Sequence, residues 1–252
     1  MTQKYKINDI HIHLGPSNGM FQNLTVPGLL KYQKEYHIDH VAVMPLEIHT
    51  DRDNKKIINL AKKNKSVHGL FWIQKKRINE DLKVIREELG KSLMGVKFHG
   101  AFENLPITSK HYKPILEELH EQQSTLLIHC GRFKDGSLKS NTSYLYGLKV
   151  AKKFPNIKII LAHMGGNDTS IVKKAVHDAK DMNNVYFDTS GISTPYRVEY
   201  AIDVIGSKRI IFGSDYPWCS FRGNFYNIED SLLNKKEKEN ILYKNFLTLI
   251  KN

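Results

Sequence analysis

The feature that most constrains the fold of this chain is a regular alternation of short apolar runs with longer amphipathic segments. The runs are β-branched or aromatic and end in Gly, Pro or polar residues, which is typical of buried strands. Eight strands are predicted, in KINDIHIH from Lys6, HVAVMPLE from His40, VHGLFWIQ from Val67, MGVKFHG from Met94, STLLIHCG from Ser124, NIKIILAHMGG from Asn156, NVYFDTSG from Asn184 and RIIFGSDYPW from Arg209.

Segments with helical spacing of apolar residues separate the strands. The predicted helices are Val26 to Tyr36, Lys55 to Lys63, Asn79 to Leu89, Lys113 to Glu121, Ser143 to Lys153, Ser170 to Asp181, Val198 to Ile205 and Lys236 to Ile250. Eight strand–helix units in 252 residues predict an α/β fold, a closed (β/α)8 TIM barrel forming a single domain over residues 1–252. An open doubly wound sheet is the alternative, but no G-x-G-x-x-G or P-loop motif supports its nucleotide-binding version.

Composition excludes several classes of protein. No run of about 18 apolar residues is present, so no membrane span is expected, and the segment MTQKYKIND lacks the apolar core of a signal peptide. Two cysteines cannot form a disulfide framework, and we expect a cytoplasmic protein. The net charge of +12 is spread along the predicted helices, so we expect neither nucleic acid nor a membrane as partner.

Histidines are concentrated at the carboxyl ends of the predicted strands, where barrels of this kind place their active sites. About 16 positions lie within two residues of the eight strand ends, so chance would put roughly one of the 12 histidines there. Five are found there, His11, His13, His99, His129 and His163, together with Lys97 and Asp215. Imidazoles and a carboxylate that converge from several strands suit zinc or a similar divalent metal.

Strand alternation places the first two of these histidines on one face, because side chains two residues apart point the same way. If that face is the barrel interior, Ile10 and Ile12 point outward into the helix layer. Asp9 shares the face of His11 and His13, where it could orient a ligand histidine or fill the lower layer of the barrel.

Together these segments resemble the amidohydrolase superfamily, most closely its amidohydrolase-related branch, amidohydrolase family 2. The motifs that carry the resemblance are H-x-H at His11 and His13, G-V-K-F-H at Gly95 to His99, L-I-H ending at His129, L-A-H-M-G-G at Leu161 to Gly166 and F-G-S-D-Y-P-W at Phe212 to Trp218. The resemblance implies a (β/α)8 fold and one divalent metal at the barrel mouth, with zinc expected and manganese as the alternative. The metal ligands that it implies are His11, His13, His129 and Asp215.

The resemblance also implies catalytic roles for two residues. Asp215 would accept a proton or hydrogen bond from a metal-bound water, and His163 would lie beside that water as a general acid or base. Some members of the superfamily use two metals, bridged by a carbamylated lysine or a glutamate on the fourth strand, which in this chain carries Lys97. One metal is the prediction, because G-V-K-F-H belongs to the mononuclear branch.

The predicted substrate is a small molecule. The side chains predicted to bind it are Lys97, His99, Arg132 and Trp218. Arg132, Lys134 and Arg222 follow the fifth and eighth strands, and guanidinium groups near the metal would favour a carboxylate-bearing substrate, although they could equally be surface cations. Whether the chain forms a homo-oligomer is left open.

The predicted function is that of a metal-dependent hydrolase of an amide, lactone or related carbonyl compound. The alternative is a metal-dependent, non-oxidative decarboxylase of an aromatic or unsaturated carboxylic acid, since the same residues could manage a proton on such a substrate. A metal-dependent deoxyribonuclease and a non-catalytic binding protein on the same barrel are further alternatives.

Overall fold

A computed structural model describes residues 5–17, 23–48, 50–133 and 136–250, so Lys134 lies outside the described residues. The strands are β1 (Ile7–Pro16), β2 (Asn23–Leu24), β3 (Ile38–Pro45), β4 (Val67–Trp72), β5 (Leu93–Phe98), β6 (Thr125–Ile128), β7 (Lys158–Leu161), β8 (Val185–Asp188) and β9 (Ile210–Ile211). The helices are α1 (Val26–Glu35), α2 (Asp51–Lys63), α3 (Ile78–Glu88), α4 (Gly100–Glu103), α5 (Lys113–Glu121), α6 (Tyr144–Lys153), α7 (Thr169–Asp178), α8 (Pro195–Ile205), α9 (Phe221–Glu229), α10 (Lys235–Glu239) and α11 (Asn245–Ile250).

All nine strands form one sheet in the order β2-β1-β3-β4-β5-β6-β7-β8-β9. The pairs from β1 and β3 through to β8 and β9 are parallel, and only the two-residue β2 pairs antiparallel with β1. The helix after each strand carries the chain back to the end of the sheet where that strand began, so the next strand runs parallel to it. The α/β class and the eight parallel strands predicted from the sequence are confirmed.

The segment after β9 forms hydrogen bonds with β1, at the other side of this sheet. Ile10 N donates to Phe212 O at 3.0 Å, Asp215 N to His11 O at 2.8 Å, and His13 N to Tyr216 O at 2.8 Å. Gly213 lies directly against β1, where an added Cβ would stand 3.0 Å from His11 Cβ. The close approach of this segment to β1 therefore depends on glycine.

Strand β1 contains a bulge that changes which side chains point inward. Asp9 pairs with Val41 and Ile12 with Val43, so three steps on β1 match two steps on β3. Ile10 consequently packs in the inner apolar cluster, whereas Ile12 packs in the outer cluster between sheet and helices. The expectation that Ile10 points outward is wrong, because the extra residue reverses the alternation at this point.

The helices follow the predicted pattern with small shifts at their ends. Helix α2 begins four residues before the predicted Lys55, because Thr50 caps it: Thr50 Oγ1 accepts from Arg52 N, and the Asp53 carboxylate accepts from Thr50 N. A π-helical turn over Asn240–Lys244 connects α10 with α11. Helices α4 and α9 were not predicted. In the part of the chain that is described, no helix is long and apolar enough to cross a bilayer.

Candidate active site

Three predicted ligands, His11, His13 and Asp215, bring their donor atoms together at one end of the sheet. His11 Nε2 lies 3.1 Å from His13 Nε2, and Asp215 Oδ1 lies 3.1 Å from His13 Nε2 and 3.4 Å from His11 Nε2. Ligand atoms at 2.0–2.1 Å from a tetrahedral zinc are roughly 3.3 Å apart. These residues, called here the ligand triad, therefore have the spacing of three donors around one ion, and no other such group occurs among the described residues.

The second nitrogen of each histidine in the triad is already occupied. His11 Nδ1 lies 2.9 Å from Asp188 Oδ2, and His13 Nδ1 lies 2.9 Å from Pro45 O. Carbonyl and ionised carboxylate oxygens only accept, so each Nδ1 carries the proton and each Nε2 keeps a free lone pair. Asp215 Oδ1 is buried and makes no hydrogen bond within the described residues. The triad therefore fits a divalent cation.

The charge states of these buried groups suit metal binding. Burial opposes ionisation of Asp188 and Asp215, but the neighbouring histidines, His11 foremost, and hydrogen bonds to the carboxylates outweigh it. The pKa of Asp188 therefore falls to about 2, and the pKa of Asp215 falls below its usual range. Burial, aided by the charge of Lys97, lowers the pKa of His11 to about 4. At pH 7 both acids are ionised and His11 is neutral, which are the forms that bind a metal.

Lys97 is fully buried beside the triad. Its Nζ lies 3.2 Å from His11 Nε2, and its side chain lines a cavity that opens beside the triad. Burial lowers the pKa of Lys97 to about 8, while the nearby Asp215 and Asp188 favour the charged form. At pH 7 the ammonium group therefore places a positive charge next to the ligand triad.

The predicted ligand His129 is not brought into the triad and instead pairs with the predicted catalytic His163. His129 Nδ1 lies 3.1 Å from His163 Nε2. His129 Nε2 lies 3.2 Å from Arg132 O, and His163 Nδ1 lies 3.1 Å from Ser190 O. Both carbonyls require a proton on the nitrogen they face, so the two facing nitrogens have no proton of their own in neutral rings. This pair can share one proton or bind a cation.

An unusual backbone conformation orients His163. Strand β7 ends at Leu161, two residues earlier than the strand motif suggested, and His163 and Met164 then adopt left-handed φ values of 56° and 55°. Asp188 Oδ1 accepts from His163 N at 2.9 Å and fixes this turn. Left-handed backbone is costly for residues other than glycine, and such positions are concentrated at functional sites.

A cavity of about 400 Å³ opens beside the triad, large enough for a small molecule. One side of the cavity is a stack of flat rings, called here the aromatic wall: Trp72 and His99 are 5.7 Å apart with 3° between their planes, and His99 and His129 are 3.9 Å apart with 10°. Phe102 and Phe133 add ring edges to His99. This lining favours a planar, aromatic ligand.

All four predicted substrate-binding side chains, Lys97, His99, Arg132 and Trp218, line this cavity. Arg132 is half exposed and already bonded, with Nη2 3.1 Å from Asp168 Oδ2 and Nη1 3.0 Å from Gly136 O. Arg222 lies on α9 with its guanidinium over the Tyr36 ring.

Two buried acids support the site in ways that the motifs did not reveal. Asp188, at the end of β8, accepts a hydrogen bond from His11 Nδ1. Its position at a strand end could have identified it from the sequence, but the segment D-T-S-G that begins with it has the composition of a turn. Asp9 contacts no ligand imidazole: its carboxylate accepts from His11 N, Ser214 N and the Tyr32 hydroxyl. Asp9 thus fixes the backbone where the segment after β9 meets β1, and burial raises its pKa to about 6.

Known proteins resemble this chain mainly in structure, and no curated protein matches its sequence. A 2,6-dihydroxybenzoate decarboxylase from Rhizobium superposes with a TM-score of 0.77 at 14% identity, covering 98% of both chains. A dihydroxybenzoic acid decarboxylase from Polaromonas sp. JS666, with bound manganese and the inhibitor 2-nitroresorcinol, gives 0.75 at 16%, covering 98% of this chain and 97% of that one.

A Burkholderia multivorans amidohydrolase with bound zinc superposes with a TM-score of 0.77 at 14% identity, covering 97% of this chain and 99% of the other. At these identities the three likenesses concern the fold. The sequence itself matches the family model described as amidohydrolase over residues 38–246, most of the chain. This chain therefore belongs to the amidohydrolase family, as its strand-end motifs predicted.

Proposed function

We propose that this protein is a metal-dependent, non-oxidative decarboxylase of a hydroxylated aromatic carboxylic acid. The observation that carries the proposal is the aromatic wall beside the ligand triad, because it lines with aromatic side chains the cavity in which a ring would lie with its carboxylate at the triad. Two of the similar structures are described as decarboxylases of dihydroxybenzoic acids, which supports this substrate class. We therefore prefer decarboxylation, the alternative that the sequence offered, over hydrolysis.

We further propose that the fold is the closed (β/α)8 barrel and that one zinc or manganese ion is held by His11, His13 and Asp215. The hydrogen bonds between β1 and residues 212–216 support closure of the barrel. When bound, the ion would supply positive charge that draws the substrate carboxylate and an adjacent hydroxyl into the cavity. The buried ammonium group of Lys97, beside the triad, would add to that attraction.

Decarboxylation replaces the bond from the ring carbon to the carboxyl group with a C–H bond, so the protein has to deliver one proton to that carbon. The carboxyl group leaves as carbon dioxide, and the electron pair of the broken bond takes the proton. The His129–His163 pair can hold this proton between Nδ1 and Nε2, at the wall of the cavity. We assign His163 the role of proton donor and His129 the role of its partner.

Hydrolysis is the second candidate function. The same triad and His163 could serve attack on a carbonyl, and one similar structure is described as an amidohydrolase with bound zinc. Zinc- or manganese-loaded protein is incubated with hydroxybenzoic acids and, separately, with aryl lactones and amides. Release of carbon dioxide from an acid is expected, and hydrolysis of a lactone or amide without carbon dioxide from any acid would overturn the proposal.

Matched histidine variants attribute the activity to the site. His163→Gln is expected to lower the rate of carbon dioxide release at least 100-fold, because general acid catalysis typically contributes about 10²–10⁴-fold. His177→Gln, on the exposed face of α7, serves as the control and keeps the full rate. Equal loss in both variants would contradict the assignment.

Metal analysis tests the single ion. One equivalent per chain in the wild type, lost in Asp215→Asn, is the expected result. Two equivalents would instead place a second ion at the His129–His163 pair.

A further inference from the structure

A single buried hydroxyl connects the two histidines that have different proposed roles. Ser190, in the turn after β8, has its Oγ 2.9 Å from His163 Nδ1 and 3.2 Å from His11 Nδ1. The same Oγ lies 2.5 Å from Asp188 Oδ1. The proposed metal ligand and the proposed proton donor thus share one neighbour.

The direction of these hydrogen bonds follows from Asp188. Its Oδ1 accepts from His163 N at 2.9 Å and from Ser190 N at 3.0 Å, and its Oδ2 faces His11 Nδ1. Oδ1 thus acts as an acceptor, so the one hydrogen of the Ser190 hydroxyl points to Asp188. The lone pairs of Ser190 Oγ are then left to accept from the Nδ1–H groups of both histidines.

We propose that Ser190, oriented by Asp188, is a positioning residue that holds His11 and His163 in the Nδ1–H form, so that the Nε2 lone pair of His11 faces the ligand triad and that of His163 faces His129. Ser190 contributes twice to His163, through its hydroxyl and through its carbonyl oxygen 3.1 Å away. Its hydroxyl also gives His11 a second acceptor beside Asp188. The expected effect of Ser190 on catalysis rests on the proposed function, whereas its effect on the position of the ring protons of His11 and His163 does not.

The turn around Ser190 is shaped to bring it this close. Gly191 has a left-handed φ of 64°, and an added Cβ there would stand 3.3 Å from His163 Nδ1. The preceding hydroxyl points elsewhere, since Thr189 Oγ1 accepts from Gly213 N at 3.2 Å. Thr189 and Ser190 are both fully or almost fully buried. Removing the Thr189 hydroxyl is therefore a matched control for removing that of Ser190.

The test compares Ser190→Ala with Thr189→Val. Each variant loses one buried hydroxyl, so similar decreases in melting temperature are expected. Ser190→Ala alone is expected to bind zinc about tenfold more weakly in competition with a chromophoric chelator, because loss of an outer hydrogen bond to a ligand histidine typically costs about 10–100-fold. Thr189→Val should stay within about twofold of wild type. Ser190→Ala should also lower kcat and leave KM nearly unchanged.

Nitrogen-15 spectra of the histidine rings in metal-free wild-type protein provide a measurement that requires no variant. Both His11 and His163 are expected to show their proton on Nδ1. A His163 ring with a proton on Nε2 and none on Nδ1, or zinc affinities of Ser190→Ala and Thr189→Val that agree within twofold, would overturn the inference. If no acid releases carbon dioxide but these ring and zinc results hold, the proposed function fails and the role of Ser190 stands.

Discussion

A histidine pair at the amino-terminal end of the sheet, remote from the ligand triad, gives a quantitative prediction. His40 on β3 and His68 on β4 lie with Nδ1 and Nε2 3.1 Å apart, and the Phe246 ring of α11 lies against both imidazoles. Burial, together with the charge of His40, lowers the pKa of His68 from 6.5 to about 4. The folded chain therefore resists a proton that the unfolded chain accepts.

The sign of the effect follows from proton counting. Between pH 6.5 and about pH 4 the unfolded state binds more protons at this position, so the free energy of unfolding falls as the pH falls. At about 1.36 kcal/mol per pKa unit, the difference between 6.5 and about 4 sets an upper limit of roughly 3.4 kcal/mol. His68 is partly exposed, and solvent screening reduces the expected loss to about 1–2 kcal/mol.

The perturbation is His68→Gln, which removes the titrating ring and keeps a polar side chain. Urea unfolding followed by tryptophan fluorescence at pH 7.5 and pH 4.5 gives the loss of stability for each protein. The variant is expected to lose about 1–2 kcal/mol less than wild type over this interval, whereas His177→Gln on the surface of α7 behaves as wild type. Losses that agree within about 0.3 kcal/mol between His68→Gln and wild type would refute the reasoning.

Four further changes have expected outcomes. Asp215→Asn removes the anionic ligand, and isothermal titration should show at least tenfold weaker zinc binding. Trp72→Ala removes one ring of the aromatic wall, so KM for an aromatic acid should rise about tenfold, as loss of about 1–1.5 kcal/mol of ring stacking predicts. Arg132→Gln should raise KM for carboxylates yet change unfolding free energy by less than about 1 kcal/mol, since its ion pair is exposed. Dialysis against EDTA should lower the melting temperature by calorimetry, and zinc should restore it.

Hydrophobic patterning was sufficient to predict the eight parallel strands and most helices. A helix buried along one side has apolar residues at helical spacing, and a strand buried on both faces appears as a short apolar run. Helix α5 was predicted with the bounds it has in the structure, Lys113–Glu121. The two-residue strand β2 and the four-residue helix α4 are too short to leave such a period.

The site was predictable where strand alternation holds and not where it fails. His11, His13 and Asp215 meet as expected, but the bulge in β1 sends Asp9 to Tyr32 rather than to the interior. Asp188 reaches His11 across 177 positions of the chain. The pairing of His129 with His163 depends on which carbonyls face their outer nitrogens, and a single sequence carries no signal for that.

The ligand triad spans nearly the whole polypeptide, since His11 and His13 belong to the first strand and Asp215 follows the last. During synthesis on the ribosome, an ion cannot find all three donors until the segment bearing Asp215 has emerged and docked on β1 through Gly213. Uptake of the proposed ion by a growing chain would thus mark the moment at which residues 212–216 dock on β1. A chain cut between β8 and β9 would keep both histidines but lack this marker of completed assembly.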